Sequence, residues 1–383
     1  MKQFKLVATA ASGIEALVGK ELRNLGIDCQ VENGKAIFHG DLETIATANL
    51  WLRTADRVKI VVAEFEAKTF EELFEQTKAI PWEDILPMDA EFPVAGKSIK
   101  STLFSVSDCQ AITKKAIVNR LSDYYSRYGR LPESGAKFPI EVALLKDKVT
   151  ITLDTTGPSL FKRGYRLEKG GAPLKENMAA AIIELTTWRK DRPFYDPVCG
   201  SGTFCIEAAL IARNMAPGFN REFQFESWPW VDEAILQKVR DEAESQVDYD
   251  TELDITGSDI DPRMIEIARR NAEEIGLGDD ITFKQLNVKD FTTDKEFGIM
   301  IANPPYGDRL GDEEQVQALY KTMGQVFKPL ETWSKYFLTS DLTFETHYGS
   351  KATKKRKLYN GAIRTDLFQY WGKRPPRQPR VEE

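Results

Sequence analysis

Asn303-Pro304-Pro305-Tyr306 is the stretch of this 383-residue chain whose residue types most directly imply a reaction. It follows the apolar run Phe297-Gly298-Ile299-Met300-Ile301-Ala302, which reads as a short buried strand stopped by an Asn and two prolines. Pro304 and Pro305 donate no ladder hydrogen bonds and each fixes φ near about −65°, making a stiff corner at the strand's carboxyl end. That end is where open α/β sheets bind ligands. The chemistry such a corner suits is modification of an exocyclic amine on a planar base. The amine lone pair is conjugated with the ring and is a poor nucleophile until acceptors hold its N–H groups. The Asn303 side-chain oxygen and the Pro304 carbonyl are suitable acceptors, and Tyr306 is placed to stack on the base. The bland reading, a tight turn capped by a buried Asn, stays open from this motif alone.

A second motif lies about a hundred residues upstream, Asp196-Pro197-Val198-Cys199-Gly200-Ser201-Gly202-Thr203. A strand ends at Asp196, a Gly-x-Gly turn follows, and a helix is expected over residues 203–214. The small residues let a ligand touch backbone, and the free N–H groups of the new helix point into the same space. Cys205 stands where a dinucleotide fingerprint would have its third glycine. An Asp before the turn suits a cationic ligand better than a pyrophosphate. A further acidic turn, Ser258-Asp259-Ile260-Asp261-Pro262, ends the next strand, where a carboxylate can accept from both hydroxyls of a ribose. It comes about 60 residues after the glycine turn, with the surplus in an acidic helical insertion at 217–254 that contains Trp228-Pro229-Trp230. A third strand, 281–286, leads to Asp290, which is placed to bond an adenine amine.

Composition bounds the remaining choices. The chain has four scattered cysteines without a Cys-x-x-Cys pair and two histidines, which argues against a zinc site, a disulfide framework and His-dependent catalysis. No signal-peptide core or membrane-length apolar run is present, so a cytoplasmic location is expected. The formal charge of −7 is unevenly spread. Residues 222–296 carry 21 acidic and 8 basic residues, whereas residues 97–148 carry 10 basic and 5 acidic, and residues 351–380 carry 10 basic and one acidic. Two basic faces could therefore approach phosphate.

The front of the chain must position such faces. Residues 1–66 read as β-α-β-β-α-β, with a strand at 4–9, a helix at 13–25, a hairpin at 30–38 turning on Asn33-Gly34, a helix at 41–51 and a strand at 57–66. This is the ferredoxin-like order. Residues 67–156 read as a helix at 70–78, a strand at 91–100, a helix at 107–128 and a hairpin at 140–145 and 149–153. The long helix is expected to bury Ile112, Ala116, Val118 and Leu121. Lys97, Lys100, Lys114 and Lys115 are candidate RNA contacts here, as are Arg163 and Arg166 in the linker 157–172, which leads through Pro173 into a helix at 174–189. Strands near 336–339, 356–359 and 363–370 complete a second sheet of about seven.

The element order of 67–156, with Lys97-Ser98-Ile99-Lys100 and the Ser107 to Leu121 stretch, resembles a THUMP domain. The motifs at Asp196, Ser258 and Asn303-Pro-Pro-Tyr-Gly307-Asp308-Arg309, in that order, resemble class I S-adenosylmethionine-dependent methyltransferases of the amino-methylating branch. Together they make the chain similar to the bacterial 23S rRNA guanine-N2-methyltransferase family over nearly its whole length. The resemblance implies a Rossmann-like methyltransferase domain over 173–383 with strand order 3-2-1-4-5-7-6 and strand 7 antiparallel. S-adenosylmethionine is then the cofactor, RNA the partner, and no metal is needed. Carried onto these positions, Asp196, Gly200 and Gly202, within the turn that includes Cys199 and Thr203, hold the methionine moiety. Asp259, with Asp261 in the same turn, holds the ribose, and Asp290 the adenine. Lys175-Glu176-Asn177 covers the cofactor's amino-acid end, and Asn303, Pro304 and Tyr306 hold the target base at the corner that Pro305 stiffens. The long fused form has a second methyltransferase domain, expected to be lacking here after about residue 372. Guanine N2, adenine N6 in RNA or DNA, and a tRNA guanine remain open, as does a non-catalytic RNA-binding assembly role.

Overall fold

The computed structural model describes residues 2–127, 129–166, 174–306, 313–361 and 363–376. Tyr128, the last residue of the helix expected over 107–128, residues 167–172 of the expected linker with Pro173, Gly307-Asp308-Arg309, and residues 377–380 of the basic run lie outside these. The chain divides into two compact units. One comprises Met1–Ala10, Val18–Leu160 and Arg221–Glu242, and the other Ala11–Leu17, Phe161–Asn220 and Ala243–Glu383. Among the described residues no helix is long and apolar enough to cross a membrane.

In chain order the first elements are β1 (Phe4–Thr9), α1 (Glu15–Asn24), β2 (Cys29–Glu32), β3 (Lys35–Gly40), α2 (Leu42–Trp51), β4 (Arg57–Glu66), α3 (Phe70–Lys78), β5 (Val94–Ile99), α4 (Val106–Tyr124), β6 (Ile140–Leu145) and β7 (Lys148–Asp154). Local chemistry sets several boundaries. Asp41 caps α2 by accepting from the Thr44 N–H at 3.1 Å. Thr69 and Glu72 form a reciprocal capping box at the start of α3. Gly34, at φ +77°, turns the β2–β3 hairpin. The strands form one sheet in the order β2-β3-β1-β4-β7-β6-β5. Strand β4 joins its two halves. Residues Arg57 to Ile60 pair with β1 and residues Lys59 to Glu66 pair with β7, with an irregularity between Val61 and Ala63.

The buried face of α4 differs from the expected one. Cys109, Thr113, Ala116, Ile117 and Leu121 are buried, so Ala116 and Leu121 stand, while Ile112 and Val118 give way to Thr113 and Ile117. Ala116 and Val118 are two residues apart and point to different sides of a helix, whereas steps of three and four keep one face.

The second sheet is built from β8 (Phe194–Asp196), β9 (Ile255–Asp259), β10 (Ile281–Gln285), β11 (Ile299–Ala302), β12 (Ser334–Thr339), β13 (Lys354–Asn360) and β14 (Ile363–Tyr370). The helices after β7 are α5 (Glu176–Leu185), α6 (Thr203–Ala212), α7 (Glu233–Ser245), most of which belongs to the first unit, α8 (Pro262–Glu274), α9 (Glu313–Phe327) and α10 (Phe344–Tyr348). The order is β10-β9-β8-β11-β12-β14-β13, which is 3-2-1-4-5-7-6 in the sequence of this domain. Strands β10, β9, β8, β11 and β12 are parallel, and β14 runs antiparallel to β12 and β13. Strand β11 begins two residues later than expected because Phe297 is left-handed (φ +57°) and cannot extend the ladder. Beneath β11 and β12 lies an aromatic core that includes Phe291, Phe327, Phe337, Phe344 and Tyr348.

Part of the insertion after α6 belongs to the first unit. The Trp228 ring stacks on Phe138 with centroids 4.9 Å apart, and its Nε1 donates to the Lys137 carbonyl at 2.8 Å. Trp230 Nε1 donates to the Ile85 carbonyl at 3.1 Å, and the Phe225 N–H to the Thr155 carbonyl at 3.1 Å. The Trp-Pro-Trp stretch is thus structural packing for the first unit.

Candidate cofactor and base site

The parallel strands place two sequence-expected carboxylates and the Asn303 corner at the carboxyl ends of adjacent strands in the second sheet. Asp196 is the last residue of β8 and Asp259 the last of β9, while Asn303 follows the last residue of β11. Adjacent strands bring them together, since β8 pairs with both β9 and β11.

The glycine turn after β8 is tied to β9 by the backbone. The Cys199 N–H donates to the Ser258 carbonyl at 2.8 Å, and the Gly200 N–H donates to Asp259 Oδ2 at 3.0 Å. Asp259 Oδ1 accepts from the Asp261 N–H at 2.9 Å, which leaves further lone pairs for a ligand. Two glycines are required by geometry. Gly200 and Gly202 sit at φ +52° and +84°, and a Cβ on Gly202 would come within 2.8 Å of the Phe283 ring. Gly202 then caps α6, and Asn271 Nδ2 braces the turn by donating to the Ser201 carbonyl at 3.1 Å.

Asp196 is 2 % exposed and accepts from the Val198 N–H at 3.1 Å. Burial pushes its carboxyl well above the usual range, the Val198 hydrogen bond opposes this, and the nearby Asp259 charge adds to the rise. Glu176, the first residue of α5, is also buried and pushed up by burial, with the Arg166 guanidinium opposing. Its Oε2 has no hydrogen-bond partner among the described residues. Desolvated carboxylates with an unsatisfied oxygen fit a ligand bearing an ammonium and a sulfonium, because such cations supply the missing charge. S-adenosylmethionine has both groups.

The remaining expected cofactor residues fall nearby with differing roles. Thr203 is buried at the start of α6, and Asn177 is buried beside Glu176. Asp261 caps α8, accepting from the Arg263 N–H at 2.9 Å, and forms an ion pair with that side chain. Asp290 is exposed beyond β10 at the end of a short 3-10 turn, Val288–Asp290.

At the corner, Pro304 is buried, Pro305 exposed, and the Tyr306 hydroxyl donates to Asn303 Oδ1. Tyr320, fully buried on α9, donates to the Pro305 carbonyl at 2.9 Å and lies 3.0 Å from Thr339 Oγ1 at the end of β12. Its hydroxyl pins the corner to the neighbouring strand. No sequence pattern marks Tyr320, because its partner is a backbone carbonyl on a different element. The same holds for Tyr195, whose hydroxyl lies 2.6 Å from Ser258 Oγ and ties β8 to β9.

Two linker arginines expected to meet RNA do not present themselves to it. Arg163 is 1 % exposed and pairs through two nitrogens with Glu207 on α6, which also accepts from the Tyr165 hydroxyl at 3.0 Å. Arg166 donates to Thr203 Oγ1 at 2.7 Å and to the Leu174 carbonyl at 3.1 Å, and pairs with Glu176 at 3.4 Å. Arg166 therefore braces the start of α6 against the start of α5. In the first unit, Lys114 is held against the Phe92 ring and bonded to the Phe92 carbonyl and Glu133. Lys97 is exposed and paired with Glu141 at 3.0 Å, and Lys100 and Lys115 are exposed.

The chain matches three known families, described as RMKL-like, methyltransferase domain (residues 163–369), RlmL ferredoxin-like domain (5–59) and THUMP domain (67–154). It is 57% identical to the Bacillus subtilis (strain 168) protein YpsC, named as an RNA methyltransferase, over 100% of both chains. It is 33% identical to the Pseudomonas putida (strain F1) ribosomal RNA large subunit methyltransferase K/L, covering 96% of this chain but 52% of that protein, about half its length. Among solved structures, SMU.472, described as a methyltransferase complexed with SAH, superposes with a TM-score of 0.93 at 60% identity, covering 98% of this chain and all of that one. A Listeria monocytogenes chain titled as an N6-adenine-specific DNA methylase also gives 0.93, at 64% identity and 97% of each chain.

Proposed function

The chain belongs to the RMKL-like methyltransferase family, and from that premise we propose that it methylates the exocyclic amine of a nucleobase in RNA, with guanine N2 of 23S rRNA as the target. Under this reading residues 1–66 and 67–156 are the ferredoxin-like and THUMP parts that meet RNA, 157–172 is a linker, and 173–383 carries the transfer chemistry in the cytoplasm. The observation that carries the reading is the joining, on adjacent strand ends, of the desolvated Asp196 carboxylate with the Asn303 corner, with buried Glu176 linked through Arg166 to Thr203 at the start of α6.

S-adenosylmethionine supplies an electrophilic sulfonium methyl. The chain's own groups supply alignment. Asp196 and Glu176 neutralise a bound cation, Asp259 accepts from ribose hydroxyls while holding the Gly200 turn closed, and Asp290 faces the adenine. Asn303 Oδ1 and the Pro304 carbonyl accept from the base amine and direct its lone pair. The Tyr306 hydroxyl donates to Asn303 Oδ1 and orients it, and the second lone pair of that oxygen remains for the amine. Tyr320 keeps the Pro305 carbonyl fixed. A base in a helix must be unpaired or flipped to reach the corner.

Guanine N2 and adenine N6 offer amines to the same two acceptors. The large subunit K/L relative supports rRNA as the substrate, and the Listeria relative, named for adenine N6 in DNA, supports the second reading. The test is transfer from methyl-labelled S-adenosylmethionine to deproteinised RNA and, in parallel, to DNA, both from a strain lacking this chain, followed by nucleoside analysis. Label in N2-methylguanosine is expected. Label in N6-methyladenosine would overturn the base assignment, and label only in DNA would overturn the substrate.

A further inference from the structure

The end of the first sheet formed by β5, β6 and β7 carries an apolar patch that the cofactor turn and the Asn303 corner do not use. Phe104, between β5 and α4, is 83% exposed, and Ile99 and Leu145 are 56% and 55% exposed. Ile99 and Leu145 are register partners on adjacent parallel strands. A single exposed leucine or isoleucine is unremarkable on a protein surface, but an aromatic ring held out of contact beside two such residues is costly to leave in water.

The loop that presents Phe104 is pinned on both sides. Ser98 Oγ donates to the Leu103 carbonyl at 2.6 Å, immediately before Phe104, and Ser101 Oγ to the Ile99 carbonyl at 3.1 Å. Across the patch, the Thr102 N–H donates to Asp147 Oδ1 at 2.6 Å, the Asp147 N–H to Ser101 Oγ at 3.1 Å, and the Lys146 N–H to the Ile99 carbonyl at 3.1 Å. Lys100, Lys146 and Asp147 are all left-handed, at φ +49°, +51° and +66°, a conformation that non-glycine residues adopt only where the surroundings enforce it. These bonds fix the backbone that presents the ring before any partner arrives.

The cationic charge at this end rests on Lys100 and Lys146, since Lys97 and Lys148 are paired with carboxylates. Lys97, Lys100, Lys146 and Lys148 are exposed at this end of the sheet. Three of the nearby acids are already engaged, while Glu66, exposed on β4, stands opposite Lys148. Glu141 pairs with Lys97 and Lys59, Glu64 with Lys148 and Lys5, and Asp147 takes the Thr102 N–H. Asp108 lies in the first turn of α4. Lys100 and Lys146 flank the ring with left-handed backbones.

We propose that Phe104 is a stacking platform for an unpaired base of the RNA substrate, with Lys100 and Lys146 meeting the flanking phosphates. The proposal rests on the RNA reading above and adds where, and in what form, the strand is held. An aromatic face takes any unstacked base and cannot take one inside a helix, so the preference is for single strands over duplex.

The test uses the full chain, a short fluorescein-labelled RNA without self-complementarity, and the same strand annealed to its complement, with binding followed by anisotropy. Phe104→Ala is expected to weaken single-strand binding roughly 5-fold to 100-fold, with Phe104→Trp restoring it and the melting temperature unchanged. Lys146→Ala is expected to weaken binding and flatten its salt dependence. Wild-type affinity in Phe104→Ala would overturn the platform while leaving the RNA reading intact. An equal loss on duplex would overturn the unpaired-base assignment. No RNA binding by the wild-type chain would defeat both.

Discussion

Arg163 and Glu207 form an ion pair at 3.2 Å in which neither side chain has more than 1% of its surface in water. The guanidinium engages both carboxylate oxygens, and the Tyr165 hydroxyl takes one of them as well. Such a pair joins the segment after β7 to α6, the helix that starts at the glycine turn.

Breaking this pair from one side leaves the other charge buried. Glu207→Gln is expected to cost about 3 to 5 kcal/mol of stability, measured by denaturant unfolding, while RNA affinity of the folded fraction stays at the wild-type value. A stable variant with weakened RNA binding would return Arg163 to the RNA surface.

Asp196 should trade stability for binding. Its carboxyl is pushed up by burial, so the folded chain holds that proton more tightly than the unfolded chain does. Its contribution to stability is present below the unfolded carboxyl value and is lost as pH rises through the raised folded value. At neutral pH, Asp196→Asn is therefore expected to raise the melting temperature of the ligand-free protein. It should also abolish the further rise that S-adenosylmethionine gives the wild type. Cofactor affinity of the wild type should climb with pH as Asp196 ionises. A ligand-induced shift of full size in Asp196→Asn would refute its role in holding the cation.

Tyr320 offers a separation of positioning from folding. Tyr320→Phe keeps the ring that packs edge-on against Phe344 and removes only the hydroxyl that holds the Pro305 carbonyl. The methyl-transfer rate is expected to fall about 10-fold, from one lost hydrogen bond of roughly 1 to 1.5 kcal/mol, with cofactor affinity unchanged. Rapid-quench kinetics under saturating cofactor measure it, and an unchanged rate would show that the corner needs no clamp.

Motifs that carry their own local chemistry were legible in the amino-acid order. Asp196, Asp259 and Asn303 sit at or just beyond strand ends, and Gly200 and Gly202 lie in a turn that only a few residue types can make, so their positions relative to strands β8, β9 and β11 could be read directly. The 3-2-1-4-5-7-6 order came through the family resemblance, since periodicity alone says nothing of which strands are neighbours. What the sequence hid depends on distant partners. The basic run Lys162-Arg163-Gly164-Tyr165-Arg166 resembles a phosphate-binding strip because its acceptors, Glu207 and Thr203, lie about forty residues away. The acidic insertion carried no sign that Trp228 would stack on Phe138. The helix 107–128 misled through Val118, which is apolar but off the face set by Thr113, Ala116 and Ile117.

Asn303 carries the central claim that the corner beyond β11 polarises a base amine. If it does, its contribution is made mainly in the transition state, and Asn303→Ala should lower single-turnover methylation of deproteinised ribosomal RNA about 100-fold to 1,000-fold while cofactor and RNA affinities hold. If Asn303 only caps the turn, the change costs about 1 kcal/mol of folding stability and leaves the chemistry of the folded protein intact. Single-turnover rate and melting curve are taken on one preparation. A large loss of rate with little change in melting temperature is the expected result, and a lowered melting temperature with an unimpaired rate would contradict it.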